Sequence, residues 1–191
     1  MRNTRKDRGR TGIGTSILII LAISVVFGFL FDFIVTKIEY ATYPMPEEYK
    51  KHVEQYANEF GVPEEIVWAV IKTESGFDPS AVSDAGAVGL MQLTEPTFSE
   101  ITNQRLKDNF DPGMRYDPAT NIRYGTYYLS YLYARYGNWD ATLAAYNAGL
   151  GHVDSWVDES GKISVKDIPF KETRNYVKKV NKAREKYEKL Y

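Results

Sequence analysis

From Thr11 to Phe31 the chain runs 21 residues without a charge, and thirteen of them are Leu, Ile, Val or Phe. No other feature limits the fold so strongly. About twenty residues of helix span the hydrocarbon core of a bilayer. At roughly −0.3 to −0.6 kcal/mol each, these side chains favour insertion by about 4–8 kcal/mol before the Gly, Ser and Thr penalties. Asp32 falls where the run ends, near the far interface, where a charge costs much less than at the centre. Residues 1–10, MRNTRKDRGR, carry five basic residues against one Asp, which places them on the cytoplasmic side. The stretch after the run, FDFIVTKIEY, is bulky and offers no small-x-small cleavage site, so an uncleaved anchor is expected rather than a signal peptide. The expected organisation is a basic cytoplasmic tail (1–10), a transmembrane anchor (11–36), a linker (37–46, with Pro44 and Pro46) and a folded domain (47–191) beyond the cytoplasmic membrane.

Residues 1–37 hold six basic and two acidic side chains, a net of +4; with −1 overall, the remainder carries −5. A mildly acidic outer domain has no electrostatic attraction to nucleic acid. There are no cysteines, which excludes disulfides, thiolate metal sites and a thiol nucleophile. His52 and His152 lie far apart without a carboxylate frame, so no metal site and no cofactor is expected.

The outer domain reads as helices. Val53, Tyr56, Ala57 and Phe60 fall at helical spacing between Glu47 and Phe60, with Gly61 as the stop. Pro63, Glu64 and Glu65 open a second helix of 12–13 residues: proline suits the first turn and acids suit its positive end. Its run IVWAVI is rich in β-branched residues, but the PEE start favours a helix, apolar nearly all round and therefore buried. Residues 75–93, with three glycines and a proline, read as a long ordered loop. Thr94 and Pro96 start a helix to about Asn103, 104–116 is loop, and Asp117-Pro118 caps a long helix with Ile122, Leu129, Leu132 and Tyr136 as core stripe. Trp139 to Ala148, His152 to Val157 and about Phe170 to Lys189 complete an all-α domain without strand pattern or repeat.

Glu74 is the anomaly. Val67, Val70, Ile71 and Glu74 are i, i+3, i+4 and i+7, so a carboxylate shares the apolar face. Burial and the negative end of its own helix both disfavour the charged form and raise its pKa. A carboxylic acid held protonated near neutrality is what a general acid in glycosidic cleavage requires. A glutamate that merely reaches solvent at a helix end is the alternative.

Glu74-Ser75 is followed 18 residues later by Gln92 in GLMQ, then by AYNAG (145–149) and IPFKETRNYV (168–177). In order and spacing these four pieces resemble the soluble lytic transglycosylase family over roughly residues 50–180. The resemblance implies a lysozyme-like helical domain. It implies Glu74 as the single catalytic acid and base, and Ser83 as a contact to the sugar N-acetyl region. Gln92 and the backbone before it match the wall that positions the saccharide, where Gly89 allows close approach. Tyr146 and Asn147 match the AYN signature, Tyr146 facing the reacting sugar and Asn147 pinning backbone at the helix end or touching substrate. Tyr176 matches a tyrosine that orients the acid. One departure stands out: Glu95 occupies the position where the family commonly has proline, and the proline is shifted to Pro96.

As the resemblance implies, the substrate is a peptidoglycan glycan strand, cut between N-acetylmuramic acid and N-acetylglucosamine with closure of a 1,6-anhydro ring. Two-carboxylate glycosidases need a second acid; Asp78, Asp84 and Glu95 are near in sequence, and none matches a catalytic position of the family. A goose-type lysozyme using water, and a non-catalytic wall-binding module, are the alternative readings.

Overall fold

The computed structural model describes residues 8–108 and 111–191. The first seven residues of the basic tail, and residues 109 and 110 of the loop read at 104–116, lie outside it. The chain divides into two units, Met1–Pro44 and Met45–Tyr191.

Among its described residues the first unit has one helix, α1 (Arg8–Thr42). Its segment Gly14–Thr42 holds an 18-residue window of mean hydropathy 2.8, none of it buried, and is long and apolar enough to cross a membrane. The linker expected at 37–46 is helical through Thr42 and is reduced to residues 43–46. Nothing before Pro44 breaks a helix, and proline excludes helical geometry only at the residue it follows, Tyr43.

The second unit is all-α among its described residues, apart from two isolated bridges that pair Val88 with Val82 and with Leu93. Helix α2 (Glu47–Phe60) closes on Gly61, whose φ of 65° lets the next amide return to the Ala57 carbonyl. Helix α3 (Glu64–Glu74) carries Glu64 and Glu65 in its first turn, and Ile66 through Ile71 are all at most 1% exposed. It is one residue shorter than the expected minimum of twelve because Pro63 stands at its N-cap rather than inside it, and Glu74 is its last residue. Helix α4 (Glu95–Ser99) is capped by the Thr94 hydroxyl and passes directly into a π-helical turn, Glu100–Leu106. The expected α-helix to Asn103 is thus short, and the helical path runs on to Lys107, whose left-handed φ of 57° ends it. The loop expected at 104–116 also holds a 3₁₀ turn, Pro112–Tyr116.

Helix α5 (Pro118–Tyr136) starts on the Asp117 cap, and its stripe of Ile122, Leu129, Leu132 and Tyr136 is buried. Helix α6 (Trp139–Ala148) is capped by Asn138. Gly149, at φ 89°, ends α6 as its C-cap, and the short helix α7 follows at once at Leu150–Val153 rather than at His152–Val157. A 3₁₀ turn at Val165–Asp167 leads into α8 (Lys171–Leu190). Helix α3 packs chiefly on α8, α5 on α2 and α6, and α6 on α8. The buried helix therefore has its last turn surrounded by loop and helix.

The tightest packing supports that turn. Met91 is fully buried over Gly125 of α5, and a Cβ at Gly125 would lie 2.4 Å from the Met91 sulfur and 2.8 Å from its Cβ. Gly125→Ala should therefore destabilise the domain by about 1–3 kcal/mol through overpacking. Gly151→Ala, where nothing lies within 4 Å, should stay within about 0.5 kcal/mol of wild type. Chemical denaturation of the two variants checks the contrast.

Candidate active site

The loop from Ser75 to Leu93 folds back onto the end of α3 because its polar groups leave it no freedom. Ser75 Oγ donates to the Leu90 carbonyl at 2.9 Å and accepts from the Phe77 amide at 3.1 Å. Gly89 N donates to Ala81 O at 2.9 Å, and Val88 and Leu93 exchange backbone bonds of 3.1 and 3.0 Å. Phe77 and Gln92 stand at φ 73° and 50°, in the left-handed region that non-glycine residues rarely adopt. They stand near the two ends of the loop that follows Glu74, and strain of this kind concentrates at functional sites.

Glu74 keeps a partial opening to solvent while its carboxyl is largely desolvated. Desolvation pushes its pKa from 4.5 to about 7, opposed by the Tyr176 hydroxyl, which favours the ionised form. Among the described residues, no cation and no second carboxylate contributes to this shift. Tyr176, on α8, is buried with its hydroxyl beside the acid, yet that hydroxyl is in full hydrogen-bond geometry with none of the described groups. It sits beside the carboxyl and favours its ionised form. Tyr146, on α6, donates its hydroxyl to the Met91 carbonyl at 2.7 Å. Burial, and then the neighbouring Glu74, push both tyrosine pKa values well above 10, so each remains a neutral hydroxyl.

Three other expected site residues fall differently. Gln92 is half-buried, and its side-chain amide donates to the carbonyls of Ala81 and Gly89, both at 3.0 Å. Both donors serve the loop itself, leaving the amide oxygen as the group available to a ligand. Ser83 is exposed; its Oγ accepts from the Ala87 amide at 3.1 Å, leaving its hydroxyl proton and a second lone pair uncommitted. Asn147 is exposed and its side chain pins no backbone among the described residues, contrary to expectation, because the helix end is closed by Gly149 N to Ala145 O. Asn147 instead lines a cavity of about 450 Å³ with Ala148 and residues 169–173, just before Tyr176 on α8. The structure thus gathers Glu74, Tyr146 and Tyr176 around one carboxyl, with Gln92 in the loop wall; Ser83 and Asn147 stand on the exposed periphery. The reading by sequence passed over the role of Ser75, for which a serine directly after a helix-terminal acid is the available signal.

A compact helical domain with one desolvated carboxylic acid at the end of its buried helix is of the lysozyme-like class. A model of the transglycosylase SLT domain matches residues 51–168, and the chain belongs to that family. The soluble lytic murein transglycosylase of Escherichia coli (strain K12) is 38% identical over 142 residues, covering 71% of this chain and 22% of the relative. The membrane-bound lytic murein transglycosylase C of Yersinia enterocolitica is 33% identical over 166 residues, covering 73% and 46%. The crystal structure of the 70 kDa soluble lytic transglycosylase from E. coli superposes with a TM-score of 0.72 at 34% identity, over 79% of this chain and 25% of that one. An inactive glutamate-to-glutamine mutant of the Pseudomonas aeruginosa enzyme superposes at 0.69 with 32% identity, over 78% and 25%. The chain spans about a quarter or less of the soluble relatives and under half of the membrane-bound ones.

The raised acid has a consequence for stability. The folded state holds a proton on Glu74 between about pH 4.5 and 7 that the unfolded state has released. Stability therefore falls as pH rises through that window. Glu74→Gln should be more stable than wild type at pH 8, by on the order of 2 kcal/mol once residual exposure is discounted. The difference should vanish at pH 4; thermal unfolding at both pH values checks it.

Proposed function

We propose that the chain is a membrane-anchored lytic transglycosylase of peptidoglycan, with Glu74 as its only acid and base. The observation that carries this is the Glu74 carboxyl itself: desolvated, raised to about 7, and without a second carboxylate to act as nucleophile or to activate water. The nearby candidates Asp78, Asp84 and Glu95 are all exposed, and Asp78 is engaged with Ser80 at 2.8 and 2.7 Å. A one-acid site calls for a substrate that supplies the second group, as substrate-assisted glycosidases do.

In the proposed reaction the Glu74 O–H protonates the glycosidic oxygen between N-acetylmuramic acid and N-acetylglucosamine. The C1–O bond breaks, and the N-acetyl carbonyl of the muramoyl residue stabilises the cationic C1. Ionised Glu74 then takes the proton from the C6 hydroxyl of the same sugar. O6 bonds to C1, closing the 1,6-anhydro ring and returning the proton to Glu74; no water is consumed. Tyr146 and Tyr176 line the acid with hydroxyl dipoles that carry no net charge. The Gln92 amide oxygen, the Ser83 hydroxyl and Asn147 are available to the flanking sugars. The relatives named as lytic murein transglycosylases support this substrate, and so does a relative made inactive by replacing a glutamate with glutamine.

Residues 11–36 are proposed as a single anchor, with residues 1–10 cytoplasmic and the domain from Glu47 outside, facing the wall. The apolar helix and the membrane-bound relatives support it. Short residues 43–46 would confine cutting to strands close to the membrane.

Glu74→Gln should reduce turnover of purified peptidoglycan by on the order of 10²–10⁴-fold. Wild-type activity should decline as pH rises above about 7, where Glu74 gives up its proton. Mass spectrometry of wild-type products should show 1,6-anhydromuramic ends; reducing ends would instead mean that water is the acceptor.

A further inference from the structure

One fully buried polar side chain in the domain has no part in the reaction proposed above, and every bond it makes ends on the loop that walls the acid or on that loop's neighbour. Asn121 sits in the second turn of α5 at 0% exposure. Asparagine is a poor helix former, and a buried primary amide is costly unless its hydrogen bonds are made. Here its Oδ1 accepts the Met91 amide at 2.7 Å, and its Nδ2 donates to the Val88 carbonyl at 2.9 Å and the Arg115 carbonyl at 2.7 Å. The amide also occupies the space that Gly89 leaves open. A Cβ at Gly89 would stand 2.5 Å from Nδ2 and 2.8 Å from Cγ.

The loop is thereby gripped from inside at Val88, Gly89 and Met91, while its carbonyls serve the other side. Leu90 O accepts Ser75 Oγ and Met91 O accepts the Tyr146 hydroxyl. Both partners adjoin Glu74, Ser75 by sequence and Tyr146 by electrostatic contact. A shift of Met91 would move its carbonyl, release Tyr146 and open the acid to water.

We propose that Asn121 is a positioning residue: from α5 it fixes residues 88–91 so that the Leu90 and Met91 carbonyls hold Ser75 and Tyr146 against the acid. It touches neither substrate nor acid. The proposal rests on Glu74 being the acid, so Glu74→Gln is assayed beside it.

The test uses the full chain in detergent with soluble glycan strands. Asn121→Asp keeps the shape and the bond from the Met91 amide, but sets an oxygen against the Val88 and Arg115 carbonyls. It should lower kcat by about tenfold to a hundredfold, as small displacements of a reacting group do, with KM within about twofold. It should also move the high-pH limb of kcat downward as water reaches the acid. The titratable groups facing Glu74 from the packed helices are the Tyr146 and Tyr176 hydroxyls, both neutral throughout, so that limb reports Glu74. Thr142→Val is the control for burial alone, because Thr142 is buried and its hydroxyl bonds only the Asn138 carbonyl of its own helix start. It should lower the unfolding midpoint without moving the limb. If Asn121→Asp fails to fold, Asn121→Ser, with room for water in place of the amide, takes its place. Wild-type kcat and an unmoved limb in the folded variant would overturn the proposal. So would a limb displaced equally in the Thr142 control, or both Asn121 variants failing to fold, which would make the residue one of folding alone. An active Glu74→Gln would instead overturn the reading of the site; an inactive one beside a normal Asn121 variant would reject only the role of Asn121.

Discussion

The domain is organised around keeping one carboxyl group away from water at the end of a buried helix. A backbone carbonyl at a helix end must find a donor, and a side-chain acid must find a cation, a set of donors, or neutrality. At Glu74 the structure takes the third course. The groups beside it are tyrosine hydroxyls rather than ammonium or guanidinium groups, so nothing near it compensates ionisation in full. The apolar residues that make α3 a good core helix are thus also what set the acid's chemistry.

That arrangement needs a wall, and the wall is a loop under strain. Left-handed geometry at Phe77 and Gln92 costs on the order of 1–3 kcal/mol at each residue. It persists because the loop's polar groups are used up. Ser75, Gln92 and Asn121 between them take the carbonyls of Ala81, Val88, Gly89 and Leu90 and the amides of Phe77 and Met91. The loop is rigid through hydrogen bonding where a helix would be rigid by repetition.

Sequence reading recovers those parts of the domain that rest on local rules. The helices from Glu47, Glu64, Pro118 and Trp139 follow from their caps and spacing, and Glu74 stands out because a carboxylate breaks an apolar stripe. The π-helical turn after Ser99 has no local code; it follows the fully buried Phe98, contains the fully buried Ile101 and ends at the left-handed Lys107. The short helix after Gly149 starts two residues earlier than expected because that glycine, at φ 89°, ends one helix and leads directly into the next. The inward use of the Gln92 amide is likewise invisible, since its partners Ala81 and Gly89 are carbonyls with no side-chain signature. Asn121 could have been found only as a polar residue directly before the core residue Ile122, and two of its three partners lie 30 and 33 residues away.

The value of the acid's pKa bears on why one group can serve both halves of the proposed reaction. A carboxyl at 4.5 would hold its proton in roughly one molecule in three hundred at pH 7. It would be a willing base and a poor acid. A group far above neutrality would release its proton to the leaving oxygen reluctantly and, once ionised, would be rare. Near 7, where desolvation places Glu74, the two protonation states are of similar free energy, so neither the donation nor the recovery of the proton is uphill by much. A two-carboxylate site separates these tasks by giving each acid its own environment. A site with one acid has no such freedom, and its single environment has to sit between them.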